Sequence, residues 1–242
     1  MGLVHTMGNL HPGHLSMCQR SLKDNDITVV VIYVNQTQFN DQGDYDNYPR
    51  TLDRDRQLLG ECGIDYLLVP NKQDMYPDDY TVQLNEIELS KHLEGENRPG
   101  HFNGMLTIVL KILNLVRPTS AYYGEKDYQQ LLLIRKMTQA LMLTPWVNIV
   151  GCPTIREDSG LAMSSRNSRL SVDGRKKASH LYAILRESLT PVDADRHLRE
   201  QGFQVDYVID RWDRRLAAVR LEGIRLIDNL PLNMLGKRET SV

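Results

Sequence analysis

The stretch Ile27-Thr28-Val29-Val30-Val31-Ile32-Tyr33-Val34 has almost no polar face. A strand that is apolar on both sides of its pleat must be covered on both sides, and the sheets that achieve this are parallel ones flanked by helices. The run is rich in β-branched residues, which favours a strand over a buried helix. Asp65-Tyr66-Leu67-Leu68-Val69 reads as a second strand, stopped by Pro70. Ser120-Ala121-Tyr122-Tyr123 and Trp146-Val147-Asn148-Ile149-Val150 are two more, and a short apolar Gly2-Leu3-Val4 opens the chain. Helical patterns alternate with these. Between His101 and Val116 the residues Phe102, Met105, Leu106, Val109, Ile112, Leu113 and Val116 form one apolar stripe, ended by Pro118. Asp127 to Leu141 reads similarly, with Asp127 in the N-cap position. Strand and helix in alternation predict an α/β fold, a Rossmann-like doubly wound parallel sheet with ligands at the carboxyl ends of its strands.

The character changes after about Pro153. Ser171 to Leu189 reads as a polar, basic helix, followed by a short helix near Asp193 to Gln201. Short strand-like pieces then occur at Asp206 to Ile209, Leu216 to Leu221 and Ile224 to Ile227. The chain therefore divides into a larger unit, 1–152, and a second, smaller α+β C-terminal domain, 153–242, expected to act as a lid. The polar tail Gly236 to Val242 is expected to fray.

Net charge is −2, so no broad basic field advertises nucleic acid or an anionic membrane, and any phosphate must be met by a local basic site. The run from Ile27 is too short to span a bilayer, and no secretory signal precedes the first strand. Cys18, Cys62 and Cys152 are odd in number and widely spaced, which fits reduced, buried thiols rather than disulfides or a zinc site. A cytoplasmic location is the expectation.

Met7-Gly8-Asn9-Leu10-His11-Pro12-Gly13-His14 lies between an apolar strand and a helical segment that begins at His14. A glycine turn at a helix N-terminus offers free backbone N–H groups and the positive end of a dipole, and two histidines there can donate to phosphate oxygens. The alternative is a plain turn carrying two surface histidines. Gly124-Glu125-Lys126-Asp127 follows a strand, so Lys126 could pair with phosphates and Asp127 could cap a helix or assist Mg²⁺, or the four could be an exposed charged turn. Gln129 and Gln130 follow, one of them facing a pocket. Gly160-Leu161-Ala162-Met163-Ser164-Ser165-Arg166-Asn167 reads either as a flexible phosphate clamp or as a linker. In Val34-Asn35-Gln36-Thr37-Gln38-Phe39 the amides suit recognition of a hydroxyl or carboxylate. In Glu94 to Phe102, Arg98 is read as structural and His101 as a cap of the long helix, with a functional role for either left open.

Taken together, MGNLHPGH, VNQTQF, YPRTLDRD, LEGENRPGHFNG, GEKDYQQL, PTIRE and GLAMSSRN occur in an order and spacing that resembles the pantothenate synthetase family, the pantoate–β-alanine ligases, from about Leu3 through Asn167, with an echo in GIRLIDN. That family belongs to the HIGH-type nucleotidylyltransferases, and the signature reads HPGH here. The resemblance implies an ATP-dependent ligase: the carboxylate of pantoate attacks the α-phosphorus of ATP, and β-alanine then displaces AMP from pantoyl adenylate. It implies Mg²⁺ with the nucleotide and a homodimer. It assigns ATP contacts to Met7, Gly8, Asn9, Leu10, His11, Pro12, Gly13 and His14, with His14 catalytic. Further ATP contacts fall on Gly124, Glu125, Lys126, Asp127, Ile155, Met163, Ser164, Ser165 and Arg166. Gln38 and Gln130 would hold pantoate, and Gln38 would also meet β-alanine. On this reading His11, His14, Lys126 and Arg166 supply cations to the triphosphate.

Some features depart from the family. His5 stands where it usually has proline in Pro-Thr-Met-Gly, and Gln36 replaces the proline of Val-Asn-Pro-Thr-Gln-Phe; both loosen backbone beside the pocket. The segment that usually precedes the first strand has no counterpart, which reads as a short form, and the C-terminal unit is compressed. No metal-ligand set transfers; Asp55 is a candidate near the phosphates or equally a surface residue on a helix. Two rival functions keep the nucleotide: another HIGH-type nucleotidyltransferase, or a nucleotide-binding protein without turnover.

Overall fold

The computed structural model describes residues 1–236; the polar tail lies outside the described residues from position 237 on. The chain forms two compact units, Met1–Pro153 and Thr154–Val242.

In the first unit the chain runs β1 (Gly2–Thr6), α1 (Pro12–Asp24), β2 (Thr28–Ile32), α2 (Gln42–Asp46), α3 (Leu52–Cys62), β3 (Tyr66–Leu68) and α4 (Lys72–Met75). It continues through α5 (Glu94–Asn97), α6 (His101–Val116), β4 (Ser120–Gly124), α7 (Tyr128–Ala140) and β5 (Asn148–Cys152). The strands form a parallel sheet in the order β3-β2-β1-β4-β5. The winding direction reverses between β1 and β4, which makes their carboxyl ends the switch point where ligands of such sheets bind.

Alternation along the strands sorts the two layers. Val4, Val30, Ile32 and Tyr122 point to one face, against Met17 and Cys18 of α1 and Leu59 of α3. Leu3, Val31, Ala121 and Tyr123 point to the other, beneath Met105, Ile108 and Ile112 of α6 and Leu131 of α7. All five residues of β2 are buried, as a strand apolar on both faces requires. At about 1.5–3 kcal/mol for each large side chain taken from water, these two layers supply most of the drive for folding. Some ends differ from the sequence reading. The β2 ladder starts at Thr28, and Ile27 is 40% exposed. Strand β5 starts at Asn148, because Trp146 and Val147 close a turn onto the Leu143 carbonyl. Asp127 sits at the N-cap of α7, but its side chain makes no capping bond; the turn Glu125–Asp127 is already a 3-10 helix that leads into α7.

The second unit contains α8 (Val172–Ala178), α9 (His180–Glu187), α10 (Pro191–Glu200), β6 (Gln204–Arg211), β7 (Arg214–Leu221) and β8 (Ile224–Pro231). Its strands form an antiparallel sheet in the order β6-β7-β8. Trp212-Asp213 (φ 55° and 57°) and Glu222-Gly223 (φ 53° and 74°) make the two tight turns, and left-handed pairs of this kind match the twist of a hairpin. The single helix read over Ser171 to Leu189 is two helices. Ser179 interrupts it, its hydroxyl donating back to the Lys176 carbonyl at 2.7 Å and competing with the helical ladder. Arg215 of β7 is fully buried yet satisfied: it grips both oxygens of Asp210 at 2.8 and 2.9 Å and donates to the Leu185, Ser188 and Leu189 carbonyls at the end of α9.

Cys18, Cys62 and Cys152 are free thiols, the second only half-buried. Among the described residues no helix is long and apolar enough to cross a membrane.

Candidate active site

Strand β1 ends at Thr6 and α1 begins at Pro12, so the chain must turn sharply between them. Gly8 (φ +81°) and Asn9 (φ +50°) do this in the left-handed region. A Cβ on Gly8 would sit 3.0 Å from Asp55 Oδ2. That carboxylate holds the loop. Asn9 N–H donates to Asp55 Oδ2 at 2.9 Å, Leu10 N–H donates to Oδ1 at 2.8 Å, and the Thr51 hydroxyl donates to Oδ1 at 3.2 Å. Asp55 is 1% exposed. It is not a surface residue: both of its oxygens accept hydrogen bonds, two of the three from the loop.

The loop delivers His11 to the N-cap of α1, with Pro12 at the first helical position, where a missing N–H costs nothing. His14 follows one turn on. Their rings stack with centroids 3.9 Å apart and planes inclined by 27°. The Nδ1 atom of each ring is buried and has no hydrogen-bond partner among the described residues. Buried polar atoms are normally satisfied, so two orphans side by side mark a place where a ligand completes the bonding. Burial pulls the His11 pKa down to about 4, helped by the Lys126 ammonium and opposed by Asp127. Burial, then His11 and Lys126, hold His14 well below its usual value. Both rings are therefore neutral near pH 7. They are neutral hydrogen-bonding groups rather than the cations read from the sequence, and an arriving anion would shift them towards the imidazolium form.

Lys126 lies in the 3-10 turn after β4, its side chain only 17% exposed and its Nζ 3.8 Å from Asp127 Oδ1. The structure thus brings Lys126 within electrostatic reach of both histidines. The next two glutamines divide sharply. Gln129 is buried and structural: its amide donates to the Leu89 and His92 carbonyls and accepts from Glu94 N–H. Gln130 is half-buried, with no such tether among the described residues.

Gln38 ends the 3-10 turn Gln36–Gln38 beyond β2, and its amide is oriented by a chain of neighbours. The Tyr76 hydroxyl donates to Asn35 Oδ1 at 2.8 Å, so Asn35 Nδ2 faces the Gly104 carbonyl and Gln38 Oε1, each at 3.1 Å. With its oxygen engaged, Gln38 keeps its NH₂ group as a donor. His101 is not a cap; Gly100 holds the N-cap of α6. The His101 ring instead anchors the Gln38 backbone. Arg98 donates to His101 Nε2 at 3.1 Å, which assigns the proton to Nδ1, and Nδ1–H donates to the Gln38 carbonyl at 2.8 Å. Gly104 permits this packing: a Cβ there would lie 2.3 Å from the Thr37 carbonyl oxygen.

In the second unit, PTIRE and GLAMSSRN fold onto each other. Met163 N–H donates to the Ile155 carbonyl at 3.0 Å, Arg156 bridges Ala162, and Asn167 Nδ2 donates to the Ala162 carbonyl at 3.0 Å. Arg156 forms a two-pronged pair with Asp228 at 2.7 and 2.9 Å and stacks on Tyr182 at 3.6 Å, which explains the GIRLIDN echo. Ser164 caps the 3-10 turn Ser165–Arg169 that carries Ser165 and Arg166, accepting from Arg166 N–H. The loop is therefore braced, not a flexible linker.

Sequence reasoning missed Asp55, Asn35, Tyr76 and Gly104 as supports. Motif membership marked Asn35, Asp55 and Gly104 beforehand, Asp55 also as a candidate near the phosphates, but none of them as a support; Tyr76 carried no signal.

The family model described as pantoate-beta-alanine ligase matches residues 1–231. A pantothenate synthetase of Legionella pneumophila (strain Corby) is 48% identical over 95% of this chain and 90% of its own length. That of Bdellovibrio bacteriovorus is 46% identical over 96% and 92%. Among solved structures, the pantoate-beta-alanine ligase of Francisella tularensis, complexed with beta-gamma ATP and beta-alanine, superposes with a TM-score of 0.91 at 38% identity, over 96% of this chain and 89% of its own. The pantothenate synthetase of Thermus thermophilus gives 0.88 at 40% identity, over 96% and 92%.

Proposed function

Because this chain belongs to the pantoate–β-alanine ligase family, we propose that it condenses pantoate with β-alanine in an ATP-dependent reaction carried by the histidine loop and the Gln38 turn. In the first step a carboxylate oxygen of pantoate bonds to the α-phosphorus and pyrophosphate leaves. In the second, the β-alanine amine bonds to the acyl carbon, AMP leaves, and the amine loses a proton.

The observation that carries this reading is the stacked pair His11–His14 at the head of α1, beside the sheet's switch point, with both Nδ1 atoms buried and unsatisfied. His14 donates to the phosphate oxygens as charge builds on phosphorus, and His11 and Lys126 share that charge. Met7 to Gly13 line the nucleotide through backbone, with Gly124, Glu125 and Asp127 beside Lys126. Ile155, Met163, Ser164, Ser165 and Arg166 are proposed as further ATP contacts. Gln38 and Gln130 orient the acid. No protein nucleophile takes part: burial pushes the Cys18 thiol up to about 12 and Cys152 up to about 11, and raises Cys62. Catalysis then rests on positioning and charge stabilisation.

No group of three or more acidic, histidine or cysteine side chains that could hold a metal occurs among the described residues. A Mg²⁺ would arrive on the triphosphate and would neutralise phosphate charge there, with Asp127 beside Lys126 able to assist it. A homodimer is proposed from the family resemblance and is tested by light scattering. A cytoplasmic setting suits three unpaired thiols.

The test is simultaneous detection of AMP and pantothenate with each substrate omitted in turn. AMP should need all three substrates. Pyrophosphate without AMP in the complete mixture would indicate a nucleotidyltransferase, and neither product a binder without turnover. His14→Ala should lower kcat about 100-fold or more; full activity in that variant would remove its role.

A further inference from the structure

Two other polar atoms in the first unit are buried without a partner among the described residues: His5 Nε2 and Tyr123 Oη. They are neighbours. Val4 of β1 pairs with Tyr122 of β4, so His5 and Tyr123 are the next residues along two adjacent strands, whose backbones run about 4.8 Å apart. They also share a face. Val4 and Tyr122 turn towards α1, whereas Leu3 and Tyr123 turn towards α6, and His5 follows Leu3 by the two-residue period of a strand. Both stand at the carboxyl ends of their strands, on the layer where the Gln36–Gln38 turn packs against Gly104 of α6. His5 occupies the position at which the family resemblance expects proline, a residue with no side-chain hydrogen bond to give.

An isolated hydroxyl in an apolar core is unfavourable when it goes unmatched. Two such residues at neighbouring positions of adjacent strands, at the carboxyl end of the sheet, are better explained by a missing guest than by two separate defects. The pair is neutral and can both donate and accept. That suits an alcohol, which does the same, more than a carboxylate, which only accepts and requires a cation nearby.

We propose that His5 Nε2 and Tyr123 Oη form a polar wall of the acid site that hydrogen-bonds a hydroxyl group of the substrate acid, making them positioning and specificity residues of this ligase. The inference rests on the reading of the chain as a ligase of a hydroxy acid. The Gln38 amide and this wall then grip the acid from two sides while its carboxylate stays free to react.

The test compares wild type, Tyr123→Phe, His5→Ala and the double variant with three acids: pantoate, its analogue without the 4-hydroxyl, and its analogue without the 2-hydroxyl. The wild type must make pantothenate; if it does not, the ligase reading fails first and separately. Given an active wild type, Tyr123→Phe should raise KM for pantoate about 5-fold, leaving kcat and KM for ATP within about 2-fold. For one of the two analogues, the one lacking the contacted hydroxyl, Tyr123→Phe should cause no further loss. The free protein should melt higher in Tyr123→Phe, because an unmatched buried hydroxyl is gone; a merely structural hydroxyl would give the opposite shift. An unchanged KM for pantoate in Tyr123→Phe and the double variant, with hydroxyl discrimination intact, would overturn the proposal.

Discussion

Removing the Asp55 carboxylate should damage a loop that lies far from it in sequence. In Asp55→Ala two backbone N–H groups lose their acceptor. The Leu10 amide is buried with its bond at 2.8 Å, and the Asn9 amide is part-buried with its bond at 2.9 Å. A buried donor left unmatched costs about 2 kcal/mol and one that can partly reach water about 1, so the loss is about 3 kcal/mol. The loop should then open locally and His11 and His14 should lose their fixed stacking. If most of that energy appears in the reaction, kcat/KM for ATP falls between about 10- and 100-fold. Asp55→Asn keeps the shape and one acceptor but turns its NH₂ towards one of the amides, and should fall between. Urea denaturation gives the first number, and initial rates against ATP with pantoate saturating give the second. A loss below about 1 kcal/mol together with an unchanged KM for ATP would refute the reasoning, because the loop would then hold itself.

Other outcomes follow from the same geometry. Gly104→Ala places a methyl group 2.3 Å from the Thr37 carbonyl oxygen and 2.6 Å from Gln38 N, so the turn must move; KM for pantoate should rise about 10-fold or more while KM for ATP holds, as read from paired saturation curves. Burial lowers the pKa of His5 and of His11 to about 4, whereas the unfolded chain binds these protons near 6.5. The unfolded state therefore holds more protons between those values, and stability present above about pH 6.5 is lost as the pH falls towards 4, by up to roughly 3 kcal/mol for each ring. His14 acts in the same direction. Urea midpoints measured across that range should decline, and a flat profile would contradict the burial. Asp228→Ala leaves the Arg156 guanidinium without its two-pronged partner and should cost about 3 kcal/mol, measured by thermal or urea unfolding.

Much of the first unit was legible from the residues alone. Helix α6 spans the residues its apolar stripe marks, and the β2 run needed cover on both faces, so a doubly wound sheet was the natural solution. The histidine turn, the Lys126 turn and the amide-rich turn were also legible, since each places a glycine or an uncommon polar cluster where a strand ends. What could not be read is what supports them. Asp55 sits in Leu-Asp-Arg-Asp, a pattern indistinguishable from a solvated helix face, and its partners in the loop are more than forty residues away. Gln129 and Gln130 differ only in which way one turn of helix points them. The charge state of the two histidines depends on burial, which no residue count supplies. The break at Ser179 depends on one hydroxyl choosing a carbonyl.

Strand β1 carries an odd and an even set of side chains, one to each layer. A single residue inserted or deleted between Gly2 and Thr6 would exchange the sets, sending His5 into the helix α1 side and Val4 towards α6. Length variation among kindred proteins should therefore collect in the loops and helices that follow, and the five residues of this strand should tolerate replacement far better than any change in their parity.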